Sequence, residues 1–169
     1  MDYRKEILTG IDRFYIECIE EFREAEARIA EDSKFRSMFR KKDYPGNIRI
    51  LKHCKKVSNA IEFPVDDIPD DDLESKQIVD QSRDSIHVFN RLCDSYISLQ
   101  TALMKKSEGE ELSYGQYHEI YKTTKERHAM MNDSIRALDI LYADYAEEGV
   151  DAGEGFLTYD MLVGGDKDK

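Results

Sequence analysis

Apolar side chains recur every three or four residues along most of this chain, the spacing that lines one face of an α-helix. Ile7, Ile11, Phe14, Cys18, Phe22, Ala25 and Ile29 form the first such stripe and predict a helix over about residues 3 to 31. That helix either continues to Lys41 or is broken by Asp32-Ser33, which can cap a separate short helix carrying Phe35, Met38 and Phe39. Tyr44-Pro45-Gly46-Asn47 predicts a turn, because proline fixes its own φ and Gly or Asn tolerates positive φ. A short amphipathic helix follows, with Leu51, Cys54, Val57 or Ser58, and Ile61 on its apolar side.

Phe63-Pro64 through Asp72 holds two prolines and five aspartates, which oppose both helix interior and strand. It predicts a connection whose last aspartates cap the next helix, where a carboxylate meets free amides and the positive dipole end. That helix, over about residues 72 to 106, carries Ile78, Ser82, Ile86, Phe89, Cys93, Tyr96, Leu99 and Leu103, and Ser107-Glu108-Gly109-Glu110 ends it. The last long helix opens on Ser113 as N-cap, with Gln116 as its capping-box partner and Leu112 against Tyr117 as a hydrophobic staple. Its stripe is Tyr117, Ile120, Thr124, His128, Met131, Ile135, Leu138, Leu141 or Tyr142, and Tyr145.

These elements predict an all-α fold: an elongated antiparallel three- or four-helix bundle with a short helix-turn-helix excursion at about residues 33 to 61. Residues 1–147 are assigned to the bundle and 148–169 to an acidic C-terminal tail, flexible or docked. Within the tail, Phe156, Leu157, Tyr159, Met161 and Leu162 form an apolar island expected to dock on the bundle or to contact a partner.

A chain of 169 residues can bury a stable core without staples. Met1 is not followed by the apolar stretch of a signal peptide, and no run approaches the roughly 18 apolar residues of a membrane span. A soluble, cytoplasmic protein with no membrane association is expected. Cys18, Cys54 and Cys93 are odd in number and widely spaced, which fits buried thiols rather than a disulfide framework.

Charge changes the picture most. The whole chain is -11, yet Lys34 to Lys56 holds nine bases (Lys34, Arg36, Arg40, Lys41, Lys42, Arg49, Lys52, Lys55 and Lys56) against the one acid Asp43. From Glu62 to Glu74 the sign reverses, with seven acids and no base. Such segregation marks a surface that meets phosphate or an acidic partner, or two surfaces that meet each other. Arg36, Arg40, Lys41, Lys42, Arg49, Lys52, Lys55 and Lys56 are therefore the candidate binding residues. Phe35, Phe39 and Tyr44 are interleaved with them, a mixture that can also neutralise phosphates and stack bases.

Motifs for catalysis and metal binding are sparse. Of the four histidines only His87 has an acid three residues before it, Asp84, so the paired Glu-x-x-His motifs of di-iron bundles are missing. If the last two long helices pair about Gly109, then His128, Cys93, Tyr96 and Cys18 share a layer, but no close Cys or His pair supplies ordinary zinc spacing. Glu17, Glu20, Glu21 and Glu24 resemble one half of the magnesium site of bundle-type nucleotide pyrophosphohydrolases, and the matching Glu-x-x-Asp on a neighbouring helix is missing. Phosphate-cradling glycine loops, His-Glu-x-x-His and Gly-x-Ser-x-Gly do not occur.

The resulting expectation is a non-enzymatic intracellular interaction or adaptor protein without cofactor or metal, whose partner is a protein. One alternative is an acidic inhibitor, an immunity protein or nucleic-acid mimic, that presents carboxylates to a basic target. Another is nucleic-acid binding through residues 34–56. An apolar strip on the short helix also makes homodimerisation an expectation to test.

Overall fold

A computed structural model describes residues 2–32 and 42–149. All regular structure among them is helical. Helix α1 (Tyr3–Arg13) leads through a π-helical segment (Phe14–Ile19) into α2 (Glu20–Asp32), so the predicted first helix is present but is not regular throughout. The wider π turn closes with the Glu20 amide on the Tyr15 carbonyl, and Phe14, Tyr15, Cys18 and Ile19 are all buried within its six residues. Helix α3 (Tyr44–Asn59), a short 3-10 turn (Val65–Asp67), α4 (Leu73–Ser107) and α5 (Tyr114–Gly149) follow.

Tyr44-Pro45-Gly46-Asn47 is not the turn its composition predicts. It is the first turn of α3. Asp43 is the N-cap, and its Oδ1 accepts from the Gly46 amide at 3.0 Å. Proline suits that first turn because its missing N–H has no helical partner to lose and its φ is already helical. Gly46 is required for a steric reason: a Cβ there would lie 2.1 Å from Asp43 Oδ2. The two predicted N-caps form. Asp72 Oδ1 accepts from the Ser75 amide at 3.1 Å at the start of α4. Ser113 and Gln116 exchange reciprocal bonds, both 3.1 Å, at the start of α5. Gly109, at φ +96°, closes the α4–α5 hairpin, its amide donating to the Lys106 carbonyl.

Cross-helix contacts define the topology. Tyr3 meets Asp72, Phe14 meets Phe89 and Glu26 meets Tyr96, so the α1–α2 rod runs parallel to α4. Helix α5 opposes both, with Tyr142 bonded to Asp12, Tyr15 to Asp139 and His128 to Glu26. Helix α3 opposes α4, pairing Asn47 with Gln100, Lys55 with Asp94 and Asn59 with Asn90. Sequence neighbours are thus antiparallel, and α3 is the return stroke that lets the α1–α2 rod and α4 run parallel. At roughly 1.5 Å per residue the 35 residues of α4 span about 52 Å.

The predicted stripes face inward. Ile7, Ile11, Phe14, Cys18, Leu51, Cys54, Phe89, Cys93, Ile135, Leu138 and Tyr145 are each at most 1% exposed. Phe14 and Phe22 both approach the Phe89 ring edge-on at 5.4 Å, and Phe22 continues to Tyr96 at 5.6 Å. Where the stripe left two choices, Ser58 rather than Val57 and Tyr142 rather than Leu141 is the buried residue. Among the described residues no helix is long and apolar enough to cross a membrane.

Candidate functional site

Two surfaces combine unusual charge with accessibility. The first is the outer side of α3. Arg49, Lys52, His53 and Lys56 follow helical spacing, lie on one stripe and are all exposed. Neighbouring acids meet only the flanks of this helix. Lys55 pairs with Asp94 of α4, and His53 Nε2 lies 3.7 Å from Glu21 of α2. Arg49 borders the same hollow as Glu21 and Glu24, while Arg49, Lys52 and Lys56 form no ion pair with a described residue. The acidic connection pairs elsewhere: Asp72 with Arg4 at 3.2 Å and Asp70 with Lys76 at 3.2 Å. Basic and acidic segments adjacent in sequence therefore do not neutralise each other among the described residues.

Arg36, Arg40 and Lys41, together with Phe35, Met38 and Phe39, lie outside the described residues, as do Phe156, Leu157, Tyr159, Met161 and Leu162. Lys42 is described, and it belongs to the second surface rather than to the α3 stripe.

That second surface is a cleft of about 760 Å³ where the C-terminal end of α2, the start of α3 and the facing stretches of α4 and α5 come together. Tyr44, Tyr117 and Tyr121 supply aromatic walls, with Leu99 and Leu103 between them. The Tyr117 and Tyr121 rings are stacked one helical turn apart, 6.2 Å between centroids and 12° between planes. Lys125 Nζ lies 5.5 Å from the Tyr121 centroid, close enough for a cation–π contact.

Polar groups fix the wall. Glu26 Oε2 accepts from Tyr96 Oη at 3.0 Å and meets His128 Nε2 at 3.0 Å, joining α2, α4 and α5. The hydrogen bond to Glu26 raises the His128 pKa above 6.5, against the opposing pull of burial. The other ring nitrogen, Nδ1, contacts Asn132 Nδ2 at 3.3 Å. Gln100, which also lines the cleft, accepts at Oε1 from Asn47 Nδ2 at 3.0 Å, and both side chains are almost wholly buried.

Of the layer expected from His128, Cys93, Tyr96 and Cys18, His128 and Tyr96 are joined, through Glu26, which the stripe did not include. Cys18, Cys54 and Cys93 form no disulfide. All three are buried and free. Burial pushes the Cys18 and Cys54 thiols up to about 12 and Cys93 well above the usual value, which keeps them neutral. Among the described residues no group of three or more His, Cys, Asp or Glu side chains is placed to hold a metal ion. Glu17, Glu20, Glu21 and Glu24 are exposed on one side of the rod, with Glu17 taken by Arg13 at 2.6 Å.

Gln100, Tyr121 and Lys125 were not singled out by sequence reasoning. The available signal was a glutamine inside an apolar stripe and tyrosines spaced Tyr117-x-x-x-Tyr121, both commonplace on amphipathic helices. The chain matches no protein-family model, and no curated protein and no solved structure is similar to it at a significant level.

Proposed function

We propose that the protein is a non-enzymatic interaction protein that binds an acidic protein partner through the outer face of α3. The observation that supports this reading is the row of Arg49, Lys52 and Lys56, exposed and without an acidic partner among the described residues in a chain of net charge -11. Exposed cations that neighbouring carboxylates leave uncompensated steer and orient an acidic surface. A nucleic acid is the weaker fit, because its extended phosphate lattice would also meet the repulsion of the remaining acidic chain.

The test is a pull-down from host lysate, with and without nuclease, at low and high salt. It compares the native chain with Arg49→Gln/Lys52→Gln/Lys56→Gln. A nuclease-resistant protein retained at low salt by the native chain and lost by the variant is expected. Equal capture by both forms would sink the reading. Loss of the captured material on nuclease treatment would replace it with nucleic-acid binding.

A second reading, acidic inhibition of a basic target, draws on the exposed Glu17, Glu20, Glu21 and Glu24 row. It expects Glu20→Gln/Glu24→Gln, rather than the α3 variant, to abolish capture.

A further inference from the structure

Gln100 is a fixed polar side chain on the wall of the cleft. It is 2% exposed, its Oε1 accepts from Asn47, and its Nε2 amide has no hydrogen-bond partner among the described residues. It nevertheless lines the cleft, where an incoming acceptor can complete it. Its Nε2 is therefore a donor held in place by the Asn47 bond and open to the cleft, where an acceptor on a ligand can take it.

The surroundings specify that ligand. The cleft, at about 760 Å³, falls within the roughly 300–1,000 Å³ typical of small-molecule sites. Tyr117 and Tyr121 offer aromatic faces and edges on one side. Charge decides the remainder. Glu26 is already matched by His128 and Tyr96, and Asp32 at the rim has interactions of its own. Lys42 and Lys125, also lining the cleft, form no ion pair with a described residue, and Lys125 instead rests near the Tyr121 ring. Two ammonium groups without an ion pair among the described residues, in a cleft with an aromatic wall, suit an anion with a flat ring, not a cation. Asp32 and Lys42 flank residues 33–41, which contribute nothing to this argument because they lie outside the described residues.

We propose that this cleft binds a small planar aromatic anion, a ring bearing a carboxylate or phosphate. The ring packs against Tyr117 and Tyr121, the anionic oxygens meet Lys42 and Lys125, and an acceptor on the ligand takes the Gln100 amide hydrogen. This site is separate from the outer face of α3, so the Arg49→Gln/Lys52→Gln/Lys56→Gln variant should retain it.

The Gln100 side-chain amide is itself the reporter. In nitrogen-15 spectra of the full chain its two protons give a resolvable pair, identified by its loss in Gln100→Leu. The chain is titrated into the millimolar range with adenosine monophosphate and with indole-3-carboxylate, and in parallel with their neutral counterparts adenosine and indole. A saturable shift of the Gln100 pair with at least one anion, about tenfold weaker with its neutral counterpart, is expected. The anion that binds distinguishes a phosphate from a carboxylate ligand.

Lys42→Gln/Lys125→Gln, changed at the rim where folding is not at stake, should weaken the anion about tenfold without moving the core resonances. Any of three outcomes overturns the proposal: no saturable shift of Gln100 with any of the four probes, equal binding of charged and neutral rings, or undiminished binding by the double-lysine variant.

Discussion

Tyr3 and Asp72, 69 residues apart in sequence, are joined by a 2.6 Å hydrogen bond from the tyrosine hydroxyl to Asp72 Oδ2. The same carboxylate accepts from the Ser75 amide and hydroxyl and pairs with Arg4 at 3.2 Å, so the cap of α4 is also the clasp that holds α1 beside it. Removing it removes both. Asp72→Ala is expected to lower the unfolding free energy by about 3 kcal/mol, combining a lost cap with lost charge-assisted bonds. Asp72→Asn keeps a good N-cap residue and loses only the charge, so about 1 kcal/mol is expected. Urea unfolding of the three chains checks the order.

The same residue sets an acid limit. Burial pushes the Asp72 carboxyl upward, but hydrogen bonds from Tyr3 and Ser75 and the charge of Arg4 outweigh it and hold the group well below its ordinary 3.8. The unfolded chain therefore takes up this proton at a higher pH than the folded one. The contribution is complete above the unfolded value and is lost as pH falls from there through the folded value. Urea midpoints followed from pH 5 downward should fall less steeply for Asp72→Asn than for the native chain, and parallel curves would show that Asp72 carries no acid sensitivity.

His128 works with the opposite sign. Its hydrogen bond to Glu26 raises its pKa above 6.5, so the folded chain holds this proton more tightly than the unfolded one. The stabilisation is full below 6.5 and disappears as pH rises through the raised folded value. His128 is 35% exposed, which limits the effect to about 0.5 kcal/mol once solvent screening is counted. Thermal unfolding between pH 6 and 8 should show a decline in the native chain that His128→Gln lacks. Glu26→Gln should remove the same slope, because it removes the partner that raises the histidine.

How far the fold could be read in advance follows from the range of each signal. Local signals succeeded: the three- and four-residue spacing located the stripes of all three long helices, and Ser113-x-x-Gln116 gave the start of α5 to the residue. Tyr44-Pro45-Gly46-Asn47 misled because proline and glycine occur both in turns and in first helical turns. Asp43, one position earlier, is what distinguishes the two, since its carboxylate holds the Gly46 amide. The π turn left no trace in the stripe, because Phe14 and Cys18 keep the four-residue spacing of an ordinary helix, while Tyr15 and Ile19 beside them are buried as well. The cleft was least legible. The bond that fixes Gln100 in its wall, from Asn47, joins residues 53 positions apart and depends on the register of α3 against α4.

Gly10 and Gly115 provide a last, paired prediction, because both are helical glycines and only one is needed. In a helix interior Ala is favoured over Gly by roughly 1 kcal/mol, so an unconstrained glycine should be improved by the exchange. Nothing lies within 4 Å of a Cβ placed on exposed Gly115, and Gly115→Ala should raise stability by about 0.5–1 kcal/mol. At buried Gly10 the same Cβ would come 2.9 Å from Phe63 Cε1 and 3.4 Å from Ile61 Cγ2. Phe63 is itself only 9% exposed, so its ring has little room to yield. Overpacking of this kind costs about 1–3 kcal/mol and should outweigh the helix-propensity gain. Gly10→Ala is therefore expected to lose about 1 kcal/mol in urea unfolding, and Gly10→Ala/Phe63→Leu should recover part of that loss by giving the methyl group space. A stabilised Gly10→Ala would mean that the Phe63 ring moves aside freely and that the connection after α3 is not clamped against α1.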